Sequence, residues 1–348
     1  MLDIKRLHML PREQNIDLMN DVEIYRDFTL IAKCPAVEMF RWARRFSRPG
    51  GFMLTTAFNK ELFTDVYAQG NVLYKRDNDE GALITGRRVI ATLEGDLRLI
   101  VDGKALSSIL DRRLVTLNGD FTLQALLNNI INNNFLADAG AARSMAPLVR
   151  LLPVPGFGGN NIPVDYRQRN VLDVLNDLLQ ENEIGVRIRY NIPNRTFDIE
   201  FYTPTPSIAV FDKEWGNVLE QDYWDDNSDY KNVVLVGDNF VYNNNITGFG
   251  RREIAAVEPR EGATRFAQTA RDVLNRNRAI RTLSSRVDAN SVQFEYGKDW
   301  DIGSVVLSQH REIGFAEKEI ITEIIEFYDE TGKNIEVNTG DYTERGRF

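Results

Sequence analysis

The strongest candidate for chemistry in this sequence is an acidic, aromatic-rich segment between Trp215 and Asp229. Its aspartates are Asp222, Asp225, Asp226 and Asp229. Carboxylates among aromatic residues could flank a glycosidic bond as acid and base, or supply the oxygen ligands that calcium prefers. An EF-hand calcium loop does not fit, because Tyr230 and Val236 stand where such a loop needs glycine and glutamate. We interpret residues 215–229 as a solvated acidic loop that caps a strand, and keep a cell-wall-degrading or carbohydrate-binding role as the alternative.

The sequence contains few of the residues that nucleophilic catalysis, metal binding or nucleotide binding requires. The 348 residues include one cysteine, Cys34, and two histidines, His8 and His310. These counts exclude internal disulfides, multi-cysteine zinc sites and multi-histidine metal sites, and leave each histidine open only as a lone base. The glycine-rich stretches 156–159 and 248–250 lack the strand and helix context of a phosphate-binding loop. We therefore predict no catalytic, cofactor-binding or metal residues, and no cofactor.

A basic patch lies in the N-terminal part of the chain. It comprises Arg41, Arg44, Arg45 and Arg48, interleaved with Trp42 and Phe46. Such a patch could contact the phosphates of a nucleic acid. On a strand, we expect it instead to form ion pairs or a subunit contact.

The composition is that of a folded protein with two or three domains. Hydrophobic residues make up 43% of the chain and charged residues 27%, a balance too apolar for a disordered protein. The formal net charge of -9 argues against a dedicated nucleic-acid-binding protein, which usually has a basic face. No signal-peptide core and no run of about 18 apolar residues is present, so we expect a soluble protein made in the cytoplasm without a membrane anchor.

Strands dominate the first third of the chain and must position the basic patch. Alternation from Phe40 to Phe46, followed by Pro49-Gly50-Gly51, predicts a hairpin, with a short amphipathic helix as the alternative. Further strands are predicted at 71–75, 82–91 and 97–101, with turn residues between them. This pattern is typical of a small β-barrel or sandwich, here ending near Gly119.

The middle of the chain adds helices. Apolar residues at helical spacing predict one helix over 123–131, capped by Asp120 or Thr122. The same spacing predicts a second helix over 171–179, capped by Asn170 and ended by Gly185. Strands are expected at 186–190 and 197–202. The residues Thr203-Pro204-Thr205-Pro206 read as a stiff extended linker.

The remainder of the chain mixes strands with one helix. We expect a buried strand at 233–237 and a basic amphipathic helix from about 263 to 281, whose arginines we take as a solvated face. The C-terminal strands are predicted at 292–296, 305–307, 320–328 and 335–337. Periodicity alone leaves 320–328 open to a helix, but its β-branched content and the turn residues after it favour a strand.

The two β-rich ends share a faint internal echo. Ile84-Thr85, Gly95 and Gly103 have the same mutual spacing as Ile321-Thr322, Gly332 and Gly340. The apolar residues between the last two glycines are out of step, and four matches are as compatible with chance as with duplication. The echo is nevertheless what two similar β modules around an α/β middle would leave behind.

Three parts of the sequence carry a recognisable pattern. The first part reads WARRF at 42–46, GF at 51–52, GNVLY at 70–74 and LDRR at 110–113. The second part reads YKNVVLVG at 230–237. The last part reads QFEYGKDWDIGSVV at 293–306, IITEI at 320–324 and GKNIEV at 332–337. The last part resembles the C-terminal module of phage tail-hub proteins, the structural N-terminal region of siphovirus tail-associated lysins. The earlier parts are similar to preceding regions of the same proteins, in the same order. Thr339-Gly340 departs from the Phe-Gly expected there.

The resemblance implies a homotrimer in which two β-barrel modules per chain form a ring. Six similar barrels would face a sixfold ring of distal tail protein or tail tube, while the molecule itself stays threefold. Such a hub holds the C-terminus of the tape-measure protein, supports tail fibres, spikes or receptor-binding proteins, and opens to pass phage DNA without binding it specifically. Because the chain ends at Phe348, with no room for a peptidase or lysozyme-like extension, we expect no enzyme activity.

We therefore predict an α+β, β-rich fold with two small β-barrel modules flanking α/β middle domains. The expected domains are an N-terminal barrel hub domain at 1–118, middle domains at 119–206 and 207–285, and a C-terminal barrel hub domain at 286–348. The predicted role is a non-enzymatic tail-tip or baseplate hub, located in the virion. The acidic composition further predicts a channel lined by net negative charge, which repels DNA.

Overall fold

The computed structural model describes residues 22–33, 37–91, 95–158, 161–238, 240–258, 266–288, 291, 293–329 and 332–341. The chain divides into two compact units, unit 1 from Met1–Glu220 and Ser285–Phe348, and unit 2 from Gln221–Ser284. Cys34 and His8 lie outside the described residues. The division into four domains stays a prediction.

Strands are the main building material of the described chain. They are β1 Val22–Arg26, β2 Thr29–Lys33, β3 Met39–Arg45, β4 Gly51–Ala57, β5 Val72–Lys75, β6 Glu80–Ala91, β7 Leu97–Ala105, β8 Leu114–Phe121, β9 Val149–Leu151, β10 Ile162–Asn170, β11 Gly185–Asn191, β12 Thr196–Tyr202, β13 Thr205–Phe211, β14 Val218–Asp226, β15 Val233–Val236, β16 Phe240–Tyr242, β17 Glu253–Ala256, β18 Ile280–Val287, β19 Ser304–His310, β20 Phe315–Asp329 and β21 Gly332–Asp341. The helices are α1 Leu123–Phe135, α2 Val171–Glu181 and α3 Phe266–Arg276. The strand-rich character predicted from the sequence is confirmed.

One 16-stranded sheet contains strands from both ends of the chain. Its neighbours follow the order β14-β18-β21-β20-β3-β4-β7-β6-β11-β12-β9, with β5, β1 and β2 branching from β6, and β19 and β13 branching from β20. The chain leaves unit 1 within β14 and returns within β18. Within the described residues this path does not return to its first strand, because β3 pairs with β20 instead of closing a separate N-terminal module. The two predicted barrels are therefore not seen as closed modules.

The hairpin of β3 and β4 confirms the prediction from alternation. Phe40, Trp42 and Arg44 are buried along β3, and their neighbours are more exposed. The turn requires glycine at position 50, where a Cβ atom would stand 1.9 Å from the carbonyl oxygen of Ala43.

The two predicted middle helices are also confirmed, with their caps. The Thr122 side chain accepts a hydrogen bond from the backbone N–H of Ala125 at the start of α1. α2 ends at Glu181, earlier than predicted, and Gly185 opens β11 instead. The apolar stripes of both helices enter one core with the inner faces of β11 and β12.

The cap of α2 gives a direct test of this assignment. The Asn170 Oδ1 atom accepts hydrogen bonds from Leu172 N at 2.8 Å and Asp173 N at 3.3 Å. We expect Asn170→Ala to lower the free energy of unfolding by about 1 kcal/mol, because two N–H groups of the first turn lose their acceptor. Chemical denaturation measures this loss, and Asn170→Ser, which keeps an oxygen cap, should recover most of it. Equal stability of Asn170→Ala and the wild type would contradict the cap.

Several sequence-based element assignments are wrong. The residues taken as a linker begin β13, a strand that pairs in parallel with β19. The acidic segment 215–229 is mostly strand β14 and not a loop. Among the described residues of 292–296, no strand forms beyond a single bridge from Tyr296 to Trp300. The helix predicted from 263 to 281 ends at Arg276, and β18 begins at Ile280.

Unit 2 has a small core of its own. Its sheet has the order β16-β15-β17, in which β15 and β17 run parallel. Val234, Val236 and Ala270 are fully buried where α3 packs on this sheet. No helix within the described residues is long and apolar enough to span a membrane.

The sequence echo corresponds to a shared structural irregularity. The β6–β7 ladder shifts register between Ile84 and Gly86, so Thr85 is a bulge. The β20–β21 ladder shifts register between Ile321 and Glu323, so Thr322 is a bulge at the echoed position. A β-bulge is a specific local feature, so its presence at both echoed positions supports an internal duplication.

Candidate functional site

The junction between β3 and β20 joins the first and last parts of unit 1. The two strands pair antiparallel, with Phe40 opposite Tyr328 and Arg45 opposite Glu323. Both hydrophobic clusters beside the junction use residues from the far end of the chain: Tyr328 packs in the N-terminal cluster and Phe46 in the C-terminal one. At this junction the two β-rich ends of the chain therefore pair in one sheet and share their hydrophobic packing.

Arg44 is the charged centre of this junction. Only 3% of the residue is exposed. Its guanidinium donates to Glu80 Oε1 from Nη2 at 2.7 Å and from Nε at 3.0 Å, to the Asp301 carboxylate, and to the Tyr296 hydroxyl at 3.2 Å. Burial alone would lower the pKa of Arg44, but Glu80, Tyr296 and Asp301 raise it well above its usual value. The guanidinium therefore stays charged and connects β3, β6 and the segment before β19.

Glu326 is a second buried charge at the junction. It lies on β20, two residues after Ile324, the residue that pairs with Arg44. Its side chain is fully buried, and Oε2 lies 3.1 Å from Lys75 Nζ and 2.8 Å from Lys333 Nζ. Tyr328 donates to the same oxygen at 2.7 Å, and Tyr296 donates to Oε1 at 3.0 Å. Burial by itself opposes ionisation, but Lys75, Lys333 and the Tyr328 hydroxyl together lower the pKa of Glu326 to about 2.

Tyr296 connects the two buried charges. Its hydroxyl accepts from Arg44 and donates to Glu326. Burial, opposed by the Arg44 charge, raises the pKa of Tyr296 well above its ordinary value, so it stays protonated and able to donate. We call the group Arg44, Glu80, Asp301, Tyr296, Glu326, Lys75 and Lys333 the ionic junction. It holds strands from both chain ends in register.

The ion pairs predicted for the arginine patch are confirmed for Arg44 and Arg45. Arg45 Nε lies 2.7 Å from Glu323 Oε1 across the β3–β20 ladder. Arg41 lies over the Phe327 ring at 5.5 Å, and Arg48 donates to Gln180 at 3.1 Å. Beside Arg44 is a cavity of about 20 Å³, lined by Arg45, Arg48, Tyr202 and others, with room for one water molecule. Of the four arginines, Arg44 is buried, whereas Arg41, Arg45 and Arg48 are exposed and each contacts a neighbouring side chain.

The acidic residues of the alternative, a cell-wall-degrading or carbohydrate-binding site, do not converge. Along β14, Asp222 and Asp225 are exposed, and Asp225 lies 3.6 Å from Arg281. Asp226 accepts the backbone N–H of Ser228 at 2.8 Å, an interaction that lowers its pKa. In the described part of the chain, no three His, Cys, Asp or Glu residues are grouped to hold a metal ion. Trp224 on the same strand is 57% exposed.

Sequence reasoning missed the acidic residues of the ionic junction. Glu80 and Asp301 lie in turn-rich sequence, and Glu326 stands inside the apolar run Ile324-Ile325-Glu326-Phe327. In the sequence, Glu326 is visible as a lone charge in a mostly apolar predicted strand. Such a charge needs an opposite partner, although the sequence does not say which one.

The fold is shared with phage tail proteins. The tail protein from Neisseria meningitidis MC58 superposes with a TM-score of 0.62 at 14% identity, covering 92% of this chain and 96% of that one. The 43 kDa tail protein of prophage MuSo2 from Shewanella oneidensis gives 0.59 at 14% identity, covering 92% and 96%. The Escherichia coli c3393 protein, described as a component of the type VI secretion system with structural similarity to the T4 tail proteins gp27 and gp5, gives 0.52 at 14% identity, covering 93% and 77%.

The sequence itself assigns the family. Residues 21–245 match the model of the siphovirus ReqiPepy6 Gp37-like protein family. The chain belongs to this family of siphovirus tail proteins. No curated protein sequence matches the chain.

Proposed function

We propose that the chain is the hub of a phage tail tip or baseplate, a non-enzymatic homotrimer of the virion. Its family and its tail-protein fold support a structural tail component. In this role the trimer adapts a sixfold ring, the tail tube or the distal tail protein, to a threefold tip. Its centre is the channel through which DNA leaves.

A repeated strand order carries this proposal. Within the large sheet, β14-β18-β21-β20 is followed by β3-β4-β7-β6. β6 and β20 correspond in this repeat, and both are bulged at an Ile-Thr pair. In each repeat the bulged strand also takes a branch strand on its other side, β5 in one and β19 in the other. A chain with two similar half-sheets presents six when three copies assemble, which matches a sixfold neighbour.

The two half-sheets correspond to the proposed hub modules. Each would curl into a barrel in the assembled ring. The N-terminal half-sheet lies within the hub domain expected at 1–118, whereas the C-terminal one combines β20 and β21, from the hub domain expected at 286–348, with β14 and most of β18, from the segment 207–285. The ionic junction fits this arrangement because it fixes the two modules of one chain side by side. A rigid spacing of modules is what a sixfold face requires.

The proposed partners follow from the two faces of such a ring. One face meets the distal tail protein or tail tube. The other supports fibres, spikes or receptor-binding proteins, and the centre holds the C-terminus of the tape-measure protein until DNA passes. The similarity of c3393 to T4 tail proteins is in line with a place at the tail tip.

The oligomeric state is the first test. Light scattering on the purified protein should give three times the mass of one chain, and electron microscopy should show a threefold ring with six similar peripheral densities. A stable monomer without a ring would exclude the hub. The same images test the channel, which we expect to be lined by net negative charge; a strongly basic lumen would refute that part.

The enzyme alternative has its own readout. Turnover of peptidoglycan by the purified protein, lost in both Asp225→Ala and Asp226→Ala, would replace the hub with a cell-wall-active enzyme. We expect no turnover, since Asp225 and Asp226 are consecutive residues of β14 and their side chains point to opposite faces of the strand.

A further inference from the structure

We propose that the second half of β6, Gly86–Ala91, pairs antiparallel with β14 of a second copy of this chain. This inference rests on the proposed trimer and names the strands that join its subunits. Repeated around the ring, the joint would continue the sheet from one copy into the next.

The argument begins with the way β20 uses its edges. On the side away from β21, its first half pairs with β19 and its second half, after the bulge, pairs with β3. β6 repeats the first step: on the side away from β7, residues 80–83 pair with β5. After the bulge, however, Gly86–Ala91 pairs with no described strand on that side.

The missing neighbour is identified by the strand order. β3 opens one four-strand repeat and occupies the second half of β20. β14 opens the other repeat, and its only described neighbour is β18. A strand equivalent to β3 is therefore present in each chain, with one edge that no described strand covers. Its geometric counterpart is the uncovered half of β6. Within one copy, the described strand order does not close on itself, so the edge of β14 and the second half of β6 do not pair with each other there.

Exposed apolar residues mark both edges. Val89 and Ile90 on β6 are 40% and 37% exposed, and Leu219 and Trp224 on β14 are 54% and 57% exposed. Unpaired sheet edges carrying apolar side chains are prone to pair with another chain, and proteins usually protect them. Val89 and Ile90 point to opposite faces of β6, as Leu219 and Trp224 do on β14, so pairing of these two edges would place apolar side chains of both strands side by side on the joined sheet.

Charge also favours this pair of edges. At the internal junction, β3 is basic and β20 acidic, as in the contact of Arg45 with Glu323. At the proposed joint the signs are exchanged: β6 carries Arg88, and β14 carries Glu220 and Asp222. No described residue forms an ion pair with any of these three side chains. Two copies of β6 would instead place arginines together, and two copies of β14 would place carboxylates together, which disfavours symmetric pairing.

Cysteine cross-linking tests the joint in the full chain. In a Cys34→Ser background, Ile90→Cys is combined in turn with Leu219→Cys, Asp222→Cys and Trp224→Cys to sample the register. Paired strands bring Cα atoms within about 4.5–5.5 Å, close enough for a disulfide. We expect at least one pair to give covalent dimers and trimers on oxidation. The control replaces Ile90→Cys by Asn118→Cys, at an exposed position of β8, and should stay monomeric on a denaturing gel.

The outcomes separate this inference from the proposed function. If light scattering shows a trimer but no pair cross-links, the hub stands and the β6–β14 joint is wrong. If no trimer forms, both fail. A charge exchange gives a second readout: Arg88→Glu should weaken assembly by about tenfold or more, and Asp222→Arg in the same chain should restore it. Restoration absent in a folded double variant would also overturn the joint.

Discussion

Arg44→Met should lower the free energy of unfolding by about 3–5 kcal/mol, the largest single effect we expect on stability. The substitution keeps an unbranched side chain of similar length but leaves Glu80 and Asp301 without their shared cation. Both carboxylates then lose charge-assisted hydrogen bonds, and Glu80, whose side chain is only 14% exposed, is left as a largely buried anion. Urea unfolding followed by fluorescence measures the loss.

The neighbouring arginine is the matched control. Arg45 lies on the same strand and has an ion pair of the same length, but 45% of its side chain is exposed, against 2% for Arg44. Arg45→Met should therefore cost only about 0–1 kcal/mol. If Arg44→Met lowers the free energy of unfolding no more than Arg45→Met does, the burial of Arg44 does not add to the stability that the ionic junction contributes. Adding Glu80→Gln and Asp301→Asn to Arg44→Met should recover part of the loss, since no unpaired anion remains.

The predictability of this junction from sequence was uneven, for a physical reason. Period and capping are local, so α1, α2 and the β3–β4 hairpin could be read from neighbouring residues. Burial of Arg44 was implied by its alternation with Phe40 and Trp42. Its partners could not be read, because Glu80 and Asp301 meet it only after the two chain ends pair, and strand pairing at long range leaves no local signal.

Strand β14 shows the opposite failure. Its exposed residues fall on both faces, so neither the alternation of a half-buried strand nor an apolar run is present, and the sequence resembles a loop. β13 was missed because Pro206 and Pro204 are typical of linkers. Proline is tolerated near the start of an edge strand, and β19 is the one neighbour of β13 among the described strands. Both errors concern edges, which is where the proposed function places contacts with other chains.

Glu326→Gln should produce a stability loss that depends on pH. In the folded protein the pKa of Glu326 falls from 4.5 to about 2. A depressed carboxyl pKa contributes stability that is fully present above the unfolded value and is lost as pH falls through the folded one. The difference corresponds to about 3 kcal/mol at neutral pH, and it should disappear between about pH 4.5 and pH 2.

The measurement is the gap in unfolding free energy between wild type and Glu326→Gln, taken at pH 6 and at pH 2.5. At pH 6 the variant lacks the anion that Lys75 and Lys333 share, so the gap should be about 3 kcal/mol. At pH 2.5 much of this gap should close, because the carboxyl is protonated in the unfolded wild type while it begins to protonate in the folded one. Glu317→Gln, at an exposed position of the same strand, removes one charge without touching the ionic junction and should leave the stability almost unchanged. A gap for Glu326→Gln that is equally large at both pH values would mean that packing, not the buried charge, joins the two ends of the chain.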